Sequence, residues 1–148
     1  MKTVLDTATR AELISRISSL TDEHKAQWGK MNVYQMSIHC ILCDDMFWGN
    51  LAVKRVFIGR LIGRMLLRNA LKENADFGKG APTSPLLLTT SKSGDIEEQK
   101  KIWISKVGEY AHYDNHHFVH PFFGPMTLEQ IGIFAYKHTD HHLRQFGA

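Results

Sequence analysis

The sequence predicts an all-α protein: a four-helix bundle with an extra helix and a loop in the connection between the second and third bundle helices. Three observations carry that reading. Helix-start signals recur at four places. Behind each of them, apolar residues return every three or four positions. No stretch of useful length alternates apolar and polar residues as a half-buried strand would.

The first helix is signalled by Thr9 with Glu12 three residues on, and Leu13, Ile17 and Leu20 form its stripe. Asn32 with Gln35 opens the second, carrying Val33, Met36, Cys40, Cys43 and Phe47. Asp95 with Glu98 opens the third, carrying Ile96, Trp103, Val107 and Tyr110. Thr127 with Gln130 opens the last, carrying Ile131, Phe134 and Ala135. At this spacing an N-cap oxygen and an N3 side chain satisfy each other's orphan backbone donors. Each stripe is a face to be buried against the others.

Between the second and third of these, VKRVFIGRLIGRMLLRNALKE reads as a further helix from Val53 to Glu73. Arg60, Arg64, Arg68 and Lys72 fall every four residues, beside Phe57, Leu61, Met65 and Leu66. The simpler reading is a packed helix with a solvated basic face; docking on a membrane surface or an anionic partner is the alternative. ENADFGKGAPTSP follows as a loop, SPLLLTT is the one β-flavoured run, and HFVHPFFGPM joins the last two bundle helices.

At 148 residues the chain is the size of one domain with a real core. A net charge of +3 is too slight to imply a nucleic-acid partner. Two cysteines three residues apart on a helix make no disulfide framework. The opening MKTVLDTATRAEL has no apolar stretch of signal-peptide type, and no run has the length of a membrane span. A reducing cytoplasm is therefore the expected compartment.

The chemistry concentrates in the nine histidines. His138 and His142 are four apart, one above the other on a helix face. Counting on from Ile131, Phe134 and Ala135 by three and four reaches His138 and then His141 or His142, so the pair continues an inward stripe. Neutral imidazoles at this spacing can chelate one metal ion. His39 lies in the stripe of the second helix and offers a third ligand, with Gln35 one turn earlier placed to orient its ring or a bound water. His112, His116 and His120 share the spacing. However, Asp114 and Asn115 interrupt that series, and His120 precedes Pro121, which biases it out of helical geometry. His112, His116 and His117 read instead as residues of a fraying helix end, where imidazolium suits the C-terminal dipole. Cys40 and Cys43 lie two turns past the cap at Asn32, too deep for the helix dipole to activate a thiol, and read as small core residues. Cys43, one turn beyond His39, leaves a mixed His/Cys ligand set open. Asp44 and Asp45 follow His39 closely but point partly away.

The segments QWGKMNVYQMSIH (Gln27–His39) and HPFFGPMTLEQIGIFAYKHTDHHLRQF (His120–Phe146), with the layout between them, resemble the DinB-like superfamily of metal-binding four-helix bundles, in a branch of unknown function. The resemblance covers nearly the whole chain and implies a single bundle domain over residues 1–148. In the metal-binding members one histidine ends a W…M…QM..H segment, and two more form HxxxH on the last helix, the second followed by xxQ. His39 matches the first; His138 and His142 match the pair, with Gln145 three after His142, which selects His142 over His141. The resemblance further implies zinc or nickel, a homodimer, and in some members a low-molecular-weight thiol as co-substrate for a small-molecule substrate.

Three histidines without a carboxylate leave at least one coordination position free, as in catalytic zinc sites. Imidazoles suit zinc, nickel, copper or iron alike. The expected function is thus a metal-dependent enzyme of hydrolase or thiol-dependent S-transferase type with His39, His138 and His142 as ligands. Phe122, Phe123 and Met126 are candidates for an apolar substrate pocket, the simpler reading being loop residues that close the end of the bundle. The alternative is a non-catalytic dimeric helical module that binds a small ligand or a protein, supported by the lack of a paired carboxylate or Ser/His/Asp set beside the histidines.

Overall fold

Asn32 accepts a hydrogen bond from the Gln35 backbone N–H at 2.9 Å, and the Gln35 side chain accepts one from the Asn32 N–H at 3.2 Å. This reciprocal cap starts helix α2 (Val33–Trp48) where the sequence signals it. The structure, a computed structural model, describes residues 1–148. It is mostly helical. Before α2 lies α1 (Thr7–Ser18); after it come α3 (Phe57–Ala70), α4 (Ile96–Glu109) and α5 (Leu128–Gln145). Asp95 caps α4, and Thr127 with Gln130 forms a reciprocal cap on α5. The first cap differs from expectation. Asp6 accepts from both the N–H and the hydroxyl of Thr9, so α1 starts three residues early and Thr9 is an N3 residue.

Helix α2 packs on α4 and α5, and α1 packs on the same two, closing a ring of four helices. The stripes meet inside it. Leu13, Ile17, Leu20, Met36, Trp103 and Ile131 are wholly buried. Arg16 of α1 donates to Asp140 of α5 at 2.8 Å and to the terminal Ala148 carbonyl at 2.9 Å, tying the end of α5 to α1.

The segment after α2 departs from the sequence reading. Helix α3 is shorter than Val53–Glu73, and its buried residues are Gly59, Gly63 and Leu67. Phe57, Leu61 and Met65, the row expected to pack inward, are 74%, 69% and 57% exposed. The glycine face allows a closer approach to the chain beneath than the bulky face could, and it took the inward position. SPLLLTT forms no strand; Pro85–Leu87 is a single 3-10 turn, and Leu87 is buried over α2. A two-residue antiparallel ladder, β1 (Val119–His120) with β2 (Gly124–Pro125), folds HFVHPFFGPM back on itself. No helix is long and apolar enough to cross a membrane.

Candidate metal centre

Two helices that pack side by side bring three imidazoles to one point. His39 sits mid-way along α2; His138 and His142 occupy successive turns of α5. One ring nitrogen from each lies within 4.8 Å of the others. The ring centroids stand 4.7–5.1 Å apart, each pair edge to face.

Hydrogen bonds decide which nitrogen each ring turns inward. His39 Nδ1 lies 2.8 Å from the Leu87 carbonyl oxygen, which can only accept, so Nδ1 carries the proton and Nε2 a lone pair. His142 Nδ1 lies 2.8 Å from Gln145 Oε1, while Gln145 Nε2 donates to the Trp28 carbonyl at 2.6 Å. The amide's orientation is therefore fixed, and His142 likewise keeps its Nε2 lone pair free. Gly29 makes this relay possible. Its φ is +83°, and a Cβ there would meet Gln145 Nε2 at 2.7 Å. Carbonyl and amide acceptors behind the rings are what orients metal-bound histidines elsewhere.

His39 Nε2 and His138 Nε2 face each other at 3.2 Å. Two lone pairs at that distance repel unless a proton or a cation lies between them. A tetrahedral zinc with nitrogens about 2.0–2.1 Å away has ligand edges of about 3.3 Å. The spacing of this pair thus suits a shared cation as well as it suits an N–H···N hydrogen bond. Added protons do not block these nitrogens near neutral pH. Burial holds His39 below the ordinary imidazole range. Burial, followed by the neighbouring His142 and His39 rings, holds His138 well below it. Burial, with His39 adding, pushes His142 down to about 3. All three are neutral donors at pH 7, the form a metal takes. The donor set fits a borderline metal ion.

The remaining candidates sit around this point. His141 is buried beside Trp28, centroids 5.5 Å apart, and lines a cavity of about 500 Å3 with Gln27, Trp28, Phe77, Lys79 and Arg144. Gln35 is engaged in the α2 cap, and the Leu87 carbonyl orients the His39 ring. Cys43 Sγ is 3.8 Å from both nitrogens of His39 but lies outside the three-nitrogen cluster. Burial pushes both thiols, Cys40 and Cys43, well above their ordinary range. Asp45 pairs with Lys106. Asp44 is buried, accepts from the Tyr110 hydroxyl at 2.8 Å, and is raised to about 7 by burial. His112, His116 and His117 are exposed.

Over residues 2–148 the chain matches the family described as Protein of unknown function (DUF1569). The chain belongs to that family. It matches no curated protein and no solved structure. In this DUF1569 protein the loop carrying Phe122, Phe123 and Met126 packs on the Phe134 side of the histidines. Met126 is buried in the core, Phe123 packs on Phe134 and His120, and neither they nor Phe122 line the cavity beside His141. Phe77 does line it, and lies 6.4 Å from His138 and 4.8 Å from Phe134. It belongs to the loop after α3 and closes over the histidines from that side. Sequence reasoning missed both covering residues, Phe77 and Leu87. Neither had a signal: one is a lone aromatic in a glycine-rich loop, the other acts through its backbone. His120, which is non-helical, packs edge-on against Phe134, whose ring stacks on His138.

Proposed function

We propose that this DUF1569 protein is a metal-dependent enzyme of the DinB-like superfamily, and that the ring of α1, α4, α2 and α5 is that superfamily's four-helix bundle. His39, His138 and His142 hold one divalent ion, zinc or nickel, through Nε2 atoms, and at least one coordination position stays open. When bound, such an ion supplies Lewis acidity that lowers the pKa of a water or thiol reaching the open position. The chain's own residues do the rest. Leu87 and Gln145 fix ring orientation and tautomer, and the apolar surroundings keep the imidazoles unprotonated. Phe77 and Phe134 shield the site from bulk water. The reaction class that follows is hydrolysis or thiol-dependent S-transfer on a small molecule, with a homodimer as the assembly.

The observation that carries this reading is the facing Nε2 pair of His39 and His138, with His142 oriented from behind by Gln145. The experiment is metal analysis of protein purified without a histidine tag, followed by Zn2+ and Ni2+ titration of the stripped protein. One ion per chain, lost in His39→Ala and in His138→Ala, is the expected result. Metal content indifferent to both substitutions contradicts it and leaves a non-catalytic helical module, the Nε2 pair then being an ordinary N–H···N bond.

A further inference from the structure

The first half of helix α3 meets the rest of the protein through bare glycine backbone, and further along Leu67 alone enters the core. A Cβ on Gly59 would lie 2.3 Å from the Phe122 carbonyl oxygen, and one on Gly63 2.2 Å from the same atom. The helix backbone therefore rests directly on the Phe122–Phe123 turn. At 100° per residue, Leu61 stands opposite Gly59, Gly63 and Leu67. Around it Phe57, Ile58 and Met65 are 74%, 48% and 57% exposed, a contiguous apolar face on one helix. The buried stripes of the other helices have no counterpart here. Exposed faces of this kind mark interaction surfaces.

Charge identifies the partner. From Val53 to Lys72 the chain carries Lys54, Arg55, Arg60, Arg64, Arg68 and Lys72 and no acidic residue. None of the six takes part in an ion pair. Arg60 and Arg64 run along one edge of the apolar face, and Arg68 and Lys72 cross its C-terminal end. A two-fold self-association through this face would set the same cations against each other with no carboxylate in the segment to pair them. An anionic bilayer accommodates both features: apolar side chains enter the acyl boundary while guanidinium and ammonium groups reach the phosphates.

We propose that α3 is an in-plane anchor that docks the protein on an anionic phospholipid surface. The glycine contacts with the Phe122–Phe123 turn hold the helix flat and its apolar face outward, so docking needs no rearrangement. The proposal is independent of metal binding at the histidines.

Vesicle co-sedimentation of the full chain tests it, using phosphatidylcholine alone and an equal mixture of phosphatidylcholine and phosphatidylglycerol. Binding to the mixed vesicles only, weakened by salt, is expected. At about fivefold per charge, Arg60→Gln, Arg64→Gln and Arg68→Gln together lower partitioning roughly 100-fold. Leu61→Glu with Met65→Glu abolishes binding without moving the thermal melt, since both side chains are exposed. Equal binding to both vesicle types, or binding to neither, overturns the proposal. So does a dimer in sedimentation equilibrium that Leu61→Glu dissociates, because the face then belongs to a second copy.

Discussion

Helices α5 and α3 carry the same periodicity and use it in opposite directions. In α5, Ile131, Phe134, His138 and His142 follow each other by three and four and point into the protein, where their polar members lose water and find one another. In α3, Phe57, Leu61 and Met65 follow by four and point out, while Gly59 and Gly63 take the inside. Spacing tells which residues share a face. It does not tell which face turns inward, because that depends on the neighbour. Beneath α5 lie α1 and α2 with bulky stripes of their own; beneath α3 lies a bare turn that only glycine can approach.

Truncating one apolar side chain on each helix separates the two regions by the widest margin. Phe134→Ala on α5 removes a buried ring packed on Phe47, Phe77 and Phe123. It should cost about 3–5 kcal/mol of unfolding free energy in denaturant titration. Leu61→Ala on α3 should stay within about 0.5 kcal/mol. Equal costs in the two helices would mean that α3 is packed after all.

Acid separates the regions next. His142 folds with a pKa of about 3 against an ordinary 6.5, so below pH 6.5 the unfolded chain binds the extra proton. Stability is therefore complete above about pH 6.5 and is lost as pH falls toward 3. His142 alone accounts for about 3 kcal/mol at pH 4.5 in metal-free protein. His39 and His138 act in the same direction. Urea midpoints measured from pH 7.5 to 4.5 check the trend, and a flat profile would show that the imidazoles are solvated.

Gln145→Leu probes the relay that orients His142. It should weaken Zn2+ affinity by about 10–100-fold, read by competition with a chromogenic chelator, while His39 and His138 remain in place. Smaller still is Gly59→Ala. Helix propensity favours alanine by about 1 kcal/mol. The Cβ nevertheless meets the Phe122 carbonyl oxygen at 2.3 Å, and overpacking of about 1–3 kcal/mol outweighs the gain. A stabilised variant would show that the contact yields freely.

The same contrast explains what could be read from the residues. Three helix starts were legible because an N-cap and its N3 partner are local chemistry. The fourth slipped because Asp6 with Thr9 offers the same spacing as Thr9 with Glu12, and the aspartate took the cap. His39 and His138 could be placed on inward stripes by counting; choosing His142 over His141 needed the Gln145 motif, and the structure puts that glutamine on His142. The Gln35 side chain accepts from Asn32 N–H, and the group that meets His39 Nδ1 is the Leu87 carbonyl. The Leu87 carbonyl, 48 residues along the chain from His39, left no trace in sequence because a backbone oxygen has no residue type. For α3 an apolar row looked like a core, and a glycine pair with Leu67 is in fact the contact.

In the proposed site the lone pairs of three imidazoles meet on one ion. Anomalous difference maps from crystals of tag-free protein, collected across the zinc and nickel edges, test it most directly. The expected result is a single peak about 2.0–2.1 Å from Nε2 of His39, His138 and His142, as metal–imidazole bonds require. A peak elsewhere, or well-ordered rings with Nε2 of His39 and His138 still 3.2 Å apart and no density between the three, would contradict it.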